Sequence, residues 1–168
     1  MTKFADVAPT EGSVAQSYEY IFDIAKKPAD GSEPAWVNVP DITALNPQFP
    51  AQLQAITTYA HKGKERQTKI GSGFSLGFNI LKIRDNTGEF QPEWLILKDA
   101  ADAEGSDNEI LMRFYDALGA SDAYEGTTLV QRDGRPENGA QGPGWDAFTL
   151  TGAGNVAPIP NPVKAAGA

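Results

Sequence analysis

Two stretches of this chain alternate apolar and polar residues with a period of two, and that pattern admits little other than β-structure. Tyr18, Tyr20, Phe22 and Ile24 are interleaved with Glu19 and Asp23; Phe74, Leu76, Phe78 and Ile80 are interleaved with Ser75, Gly77 and Asn79. Successive side chains of a strand point to opposite faces, so a half-buried strand reads in this way, whereas a helix would scatter the same residues around its circumference. Between the alternating runs the chain is punctuated by 17 Gly and 12 Pro. These residues serve turns and open segments and suit a β architecture better than a helix bundle.

Trp36-Val37-Asn38-Val39 reads as a strand returning from the turn at Lys27–Pro34, which makes a hairpin of the first forty residues. From Ile42 to Lys69 the pattern fades. Pro47 and Pro50 interrupt any long ladder, so the stretch reads as a long, weakly structured excursion. Loops above about 12–15 residues are uncommon in compact domains and usually have a function. Asp85–Gly88 is a turn. Pro92, Glu93, Trp94, Leu97 and Ala101 then predict one short helix over about 92–102, with Pro at the first turn and an acid near its N-terminus.

Strands are expected at Glu109–Asp116, Ala123–Gln131 and Trp145–Thr151, with a Gly/Pro/Asn-rich loop at 133–144. The closing Val156–Pro162 must be extended, because each Pro disfavours helix in its predecessor, and the last residues should fray. The organisation is thus a loose arm at 1–16, a single β domain at 17–155 and an extended Pro-rich tail at 156–168. No repeat at solenoid or propeller period is present.

The side-chain inventory excludes much chemistry. With no Cys there is no disulfide, thiolate nucleophile or Cys-ligated metal, a composition consistent with a reducing compartment. His61 is the only histidine and lies in the charged run His61–Lys69, a poor place for the rigid base of a triad. The acids Asp99, Asp102, Glu104, Asp107 and Glu109 lack the spacing of a calcium loop, and neither Gly71-Ser72-Gly73 nor Gly152-Ala153-Gly154 opens a helix as a phosphate-cradling loop does. No cofactor or metal is expected, and no enzymatic role. No apolar run approaches the ~20 residues of a membrane-spanning helix, and the first residues lack the apolar core of a Sec signal.

The net charge is −8, which disfavours general nucleic-acid binding. The charge is also lopsided: residues 1–50 carry −4, 51–98 carry +3 and 99–168 carry −7. The positive element is His61-Lys62-Gly63-Lys64-Glu65-Arg66-Gln67-Thr68-Lys69. A charge run of this kind is ordinarily a solvated loop; on an acidic protein it can also meet the acidic face of another copy. The aromatics Phe74, Phe78, Trp94, Phe114, Tyr115, Tyr124, Trp145 and Phe148 suit a core or a subunit interface better than a stacking platform for bases.

The order of these elements carries a resemblance. Trp36, Val39, Ile42, Thr43 and Leu45 lead to Thr57-Thr58-Tyr59 and the charged run; Lys69-Ile70-Gly71-Ser72-Gly73-Phe74-Ser75 feeds the alternating strand and the helix. Arg113-Phe114-Tyr115-Asp116-Ala117, Ala123-Tyr124-Glu125-Gly126, Phe148–Gly154 and Ile159-Pro160-Asn161-Pro162 follow. Over about residues 15–162 the chain resembles the major tail (tail tube) proteins of siphophages, in the short single-domain form found in actinobacteriophages.

The resemblance implies a mainly β, sandwich or barrel-like tail tube fold with one flanking helix and a long inter-ring loop. It implies a structural virion protein made in the host cytoplasm and resident in the tail. Its partners would be further copies of itself in stacked hexameric rings, tail terminator and baseplate or tip proteins, and a tape measure protein in the lumen. Viral DNA would pass without sequence-specific contact, and no membrane insertion is implied. The inter-ring contact would fall on about residues 56–69, with Thr57, Thr58, Tyr59, His61, Lys62, Lys64, Arg66 and Lys69 as its residues. Candidate lumen strands are Tyr18–Ile24, Phe74–Ile83, Glu109–Tyr115 and Ala123–Gln131. A head decoration protein, a tail terminator and a carbohydrate-binding β domain are the alternative readings.

Overall fold

The computed structural model describes residues 12–136 and 139–165. Most of the expected N-terminal arm, two residues of the expected 133–144 loop and the final three residues lie outside the described residues.

The first alternating run forms β1 (Tyr20–Lys26), and its return is the two-residue β2 (Val37–Asn38), which pairs Asp23 with Asn38 and Ile24 with Val37. β3 (Ile42–Gln48) follows. A small hairpin of β4 (Ala51–Ala55) and β5 (Gln67–Ser72) precedes β6 (Ser75–Leu81), the second alternating run. Helix α1 (Pro92–Asp102) stands where the sequence predicts it. β7 (Glu109–Asp116), β8 (Ala123–Gly134), β9 (Trp145–Gly152), β10 (Ala157–Pro158) and the single turn α2 (Pro162–Ala165) complete the chain.

The excursion at 42–69 is corrected by the structure. Ile42–Gln48 is a strand on the outside of β6, pairing Ile42 with Ile80 and Gln48 with Ser75. Pro47 fits there because β3 is an edge strand, where a missing N–H donor breaks no ladder. A bulge between Thr43 and Asn46, with Ala44 at φ 56°, hides the period of two. Lys69, expected in a loop, is a strand residue opposite Leu53.

The main sheet is antiparallel in the order β2-β1-β7-β8-β9-β6-β3. It is rolled, because strands far apart in that order touch: Phe22 of β1 meets Phe78 of β6 edge-to-face with ring centroids 5.1 Å apart. Long β8 gives its first half to β7 and its second half to β9. Phe22, Ile24, Leu76, Phe78, Ile80, Met112, Phe114, Phe148 and Leu150 fill the interior. Each large side chain so buried contributes about 1.5–3 kcal/mol.

The roll has two unlike ends. One holds Tyr20, Asp116, Ala123, Gly152, Ser75 and Gln48; the other holds Lys26, Glu109, Gly134, Trp145, Leu81 and Ile42. α1 closes the second end with Trp94, Leu97 and Ala100 turned inward. Gln91 ties its start to the sheet, accepting from Ile83 N–H at 2.7 Å and donating to the Leu81 carbonyl. Asn108 ties its finish, donating to the carbonyls of Ala100 (2.8 Å) and Val130 (2.9 Å). After β9 the chain crosses β8 as a strap. Gly126 permits the crossing, since a Cβ there would stand 2.6 Å from Val156 Cα. Asn161, buried, then pins the strap through the carbonyls of Asp116 and Ala120.

Candidate assembly surface

The hairpin β4–β5 springs from the end of the roll opposite α1. Its base is fixed. Phe49 lies 5.3 Å from Phe74 and 4.7 Å from Tyr124 between ring centroids, and Gly73 N–H donates to the Pro50 carbonyl at 2.8 Å. Beyond this base, among the described residues, the two strands pair only with each other and form a separate two-stranded sheet. All five residues of β4 are exposed, as are all of β5 except Gly71. Five residues of strand reach roughly 17 Å.

The tip is ordered by its own side chains. Arg66 N–H donates to Thr57 Oγ1 at 3.0 Å, and Thr58 N–H donates to His61 Nδ1 at 2.8 Å. Tyr59–His61 makes one tight helical turn that ends in Lys62 at φ 50°, with Lys64 N–H donating to the His61 carbonyl at 3.0 Å. Arg66 Nη1 lies 3.3 Å from His61 Nε2. The structure thus brings Thr57, Thr58, His61 and Arg66 together. Tyr59, Lys62 and Lys64 stand exposed on that turn, and Lys69 lies lower, on β5.

Sequence reasoning singled out the polar and basic residues and Tyr59 but missed the apolar Leu53 and Ile70 as site residues. Leu53 is 58% exposed, Ile70 62% and Tyr59 fully so, with Ile56 at 39%. A lone two-stranded hairpin is marginal in water, and exposed apolar groups in a contiguous patch mark an interaction surface. The signal available was Leu53 and Ile56 among glutamines and alanines, too sparse to register as periodicity.

The helix-closed end is charged in two sectors. In one, the fully buried Asp146 accepts from Trp94 Nε1 and from Arg132 Nη2, both at 2.8 Å, with Lys82 at 4.0 Å and Arg135 at 3.8 Å. Lys82 and Arg84 also lie over the Phe90 ring, at 5.0 and 4.3 Å from its centroid. Burial pulls the Lys82 ammonium below the usual lysine range, against the opposing pull of Asp146. In the other sector, the end of α1 and the turn after it carry Asp99, Asp102, Glu104 and Asp107. Among the described residues no group of three His, Cys, Asp or Glu is placed to hold a metal ion, and no helix is long and apolar enough to cross a membrane.

A rolled antiparallel sheet with a helix across one end and a free-standing hairpin at the other defines a class of fold. No family model matches the chain, and no curated protein does. Solved structures do. One is the tail of an empty GTA particle, determined by helical refinement with C6 symmetry (13% identity, TM-score 0.58, covering 87% of this chain and 99% of that one). Another is the six-fold symmetrised baseplate of the anti-feeding prophage (10%, TM-score 0.56, covering 89% and 97%). A third is the SPP1 tail tube (10%, TM-score 0.60, covering 89% and 83%). The chain therefore has the tail tube fold.

Proposed function

We propose that this chain is a structural virion protein, a phage tail tube subunit that assembles into stacked hexameric rings forming a conduit for DNA. The observation that carries the reading is the free-standing hairpin. It is anchored at its base, exposed on both faces, apolar at Leu53 and Ile70, basic at its tip and, among the described residues, paired only within its own two-stranded sheet. Such an element is completed by another molecule. The six-fold symmetry of two structures that share the fold supports the ring size.

The physics of a tube agrees. Stacking rings head to tail is a heterologous contact, which needs two different surfaces, and the two ends of this roll differ. Edges at β2 and β3 gain from pairing between subunits. An acidic protein lining a bore repels phosphate, so DNA slides without adhesion. The contact residues are Thr57, Thr58, Tyr59, His61, Lys62, Lys64, Arg66 and Lys69, together with Leu53 and Ile70.

Negative-stain microscopy of the purified protein at rising concentration tests the reading. Stacked rings or tubes are expected. Reversing Lys62, Lys64 and Arg66 to Glu should leave a folded protein that no longer stacks. A discrete monomer at every concentration, or normal tubes from the triple variant, would overturn it.

A further inference from the structure

Resting on that stacking role, we infer where the hairpin tip of one copy lands on the next: in a small groove between the end of α1 and the ends of β1 and β7. The groove measures about 290 Å³ and opens at the helix-closed end. Its floor is apolar, from Ile96, Ala100 and Ile110, and its rim carries Asp99, Asp107 and Glu109 beside Lys26 and Lys27, an acidic excess. Tyr59 is the piece that fits: a wholly exposed aromatic ring flanked by Lys62, Lys64 and Arg66. An apolar centre with an acidic rim meets an apolar centre with a basic rim.

Three observations point to this place. The first is polarity: the hairpin leaves one end of the roll and the groove opens at the other, which is what head-to-tail growth requires. The second is charge balance. Asp99, Asp107 and Glu109 line the groove with Lys26 and Lys27, and along the end of α1 and the segment after it stand Asp102 and Glu104 with Lys98. Lys27 is spent on Glu109 at 2.6 Å and Lys98 on Asp102 at 2.7 Å, with Asp99 at a longer 3.8 Å from Lys98, so the carboxylates outnumber the cations even with Lys26 counted. The third is exclusion. The neighbouring sector of the same end, with Lys82, Arg84, Arg132 and Arg135, repels a basic tip and directs it to the acidic side.

The absence of cysteine makes the test clean, because two introduced thiols are the only ones present. In an Ala60→Cys/Ser106→Cys variant, which keeps Tyr59 and places the thiol beside it on the same exposed turn, mild oxidation under stacking conditions should give a ladder of covalent multimers. Either single variant should give dimers at most. In parallel, Asp99→Lys/Asp107→Lys should stop stacking, and combining it with the Glu reversals at Lys62, Lys64 and Arg66 should restore stacking.

The outcomes separate two failures. If the wild-type protein stacks and the hairpin reversals block it, while Asp99→Lys/Asp107→Lys stacks normally and no ladder forms, the groove is the wrong receptor and the stacking role stands. If the tip instead meets Glu19, Asp116 or Asp122 of a copy in its own ring, the two introduced thiols stay at opposite ends of the roll, no cross-link forms, and the inference fails equally. If the wild-type protein never assembles, the stacking role itself falls.

Discussion

Single residues hold this fold at places where their chemistry has no substitute. Asp146 is the sharpest case, a carboxylate with no exposed surface that answers Trp94 and Arg132 directly and offsets Lys82 and Arg135. Its removal leaves the Trp94 N–H and the mostly buried Lys82 without their partner, while Arg132 and Arg135 keep contact with water, so Asp146→Ala should cost about 1–3 kcal/mol in urea unfolding. A loss below 1 kcal/mol would show that water already screens the cluster.

Gly126 acts by lacking a side chain: Gly126→Ala drives a methyl into Val156 and should lift the strap, at about 1–3 kcal/mol. Tyr20 reports on the hairpin end by titration. Its hydroxyl donates to Asp122; that hydrogen bond first, then burial and the charges of Asp122 and Asp116, raise its pKa from 10.0 to about 12. A raised folded value means that the stability it lends is complete below pH 10 and is lost as pH climbs through about 12. In an ultraviolet phenolate titration Tyr20 should ionise late, and Asp122→Asn should bring it earlier. An unchanged curve in that variant would contradict the assigned cause.

At the scale of elements, legibility followed contrast between buried and wet faces. α1 was readable in its span, because Pro92 sets its start and Trp94 and Leu97 mark the buried face, although that face closes on Ala100 where the spacing suggested Ala101. β7 was equally plain. β3 was hidden by Pro47 and by the bulge at Ala44, and β4–β5 by the absence of any buried face at all. A pattern of two cannot appear in strands whose both sides meet solvent or another molecule. β8 was read three residues short, since Arg132–Gly134 look like the start of the Gly-rich loop. The candidate site was half legible: its basic residues announced themselves, while Leu53 and Ile70 became visible only through their exposure.

The same argument predicts that the hairpin contributes little to the stability of the roll. Excising 53–70 and joining Gln52 to Gly71 by Asn-Gly, a sequence suited to a two-residue turn, should shift the Tm by no more than about 3 °C, the scale of roughly 1 kcal/mol in a chain of this size. The excised protein should not stack. Collapse of the roll on excision would mean that the hairpin is part of its core.

At the scale of the whole molecule, what matters is that the two ends differ and that every copy carries a charge of −8. Like net charges repel copies at a distance, so the proposed assembly would depend on local complementarity that outweighs the mean field. Heterologous contacts then make growth directional. A copy with Lys62, Lys64 and Arg66 reversed keeps a competent helix-closed end but a defective hairpin end. Offered to preformed wild-type tubes, it should add to the end that displays hairpins and block further growth there, because the new terminus presents only reversed tips. Labelled wild-type protein supplied afterwards should extend the opposite end alone, visible by electron microscopy as label at one terminus of each tube. Label at both termini would mean that the reversed copy had not capped the tube, or that stacking uses one self-complementary face. The first result contradicts the role given to the basic tip, and the second removes the polarity that the proposed head-to-tail stacking requires.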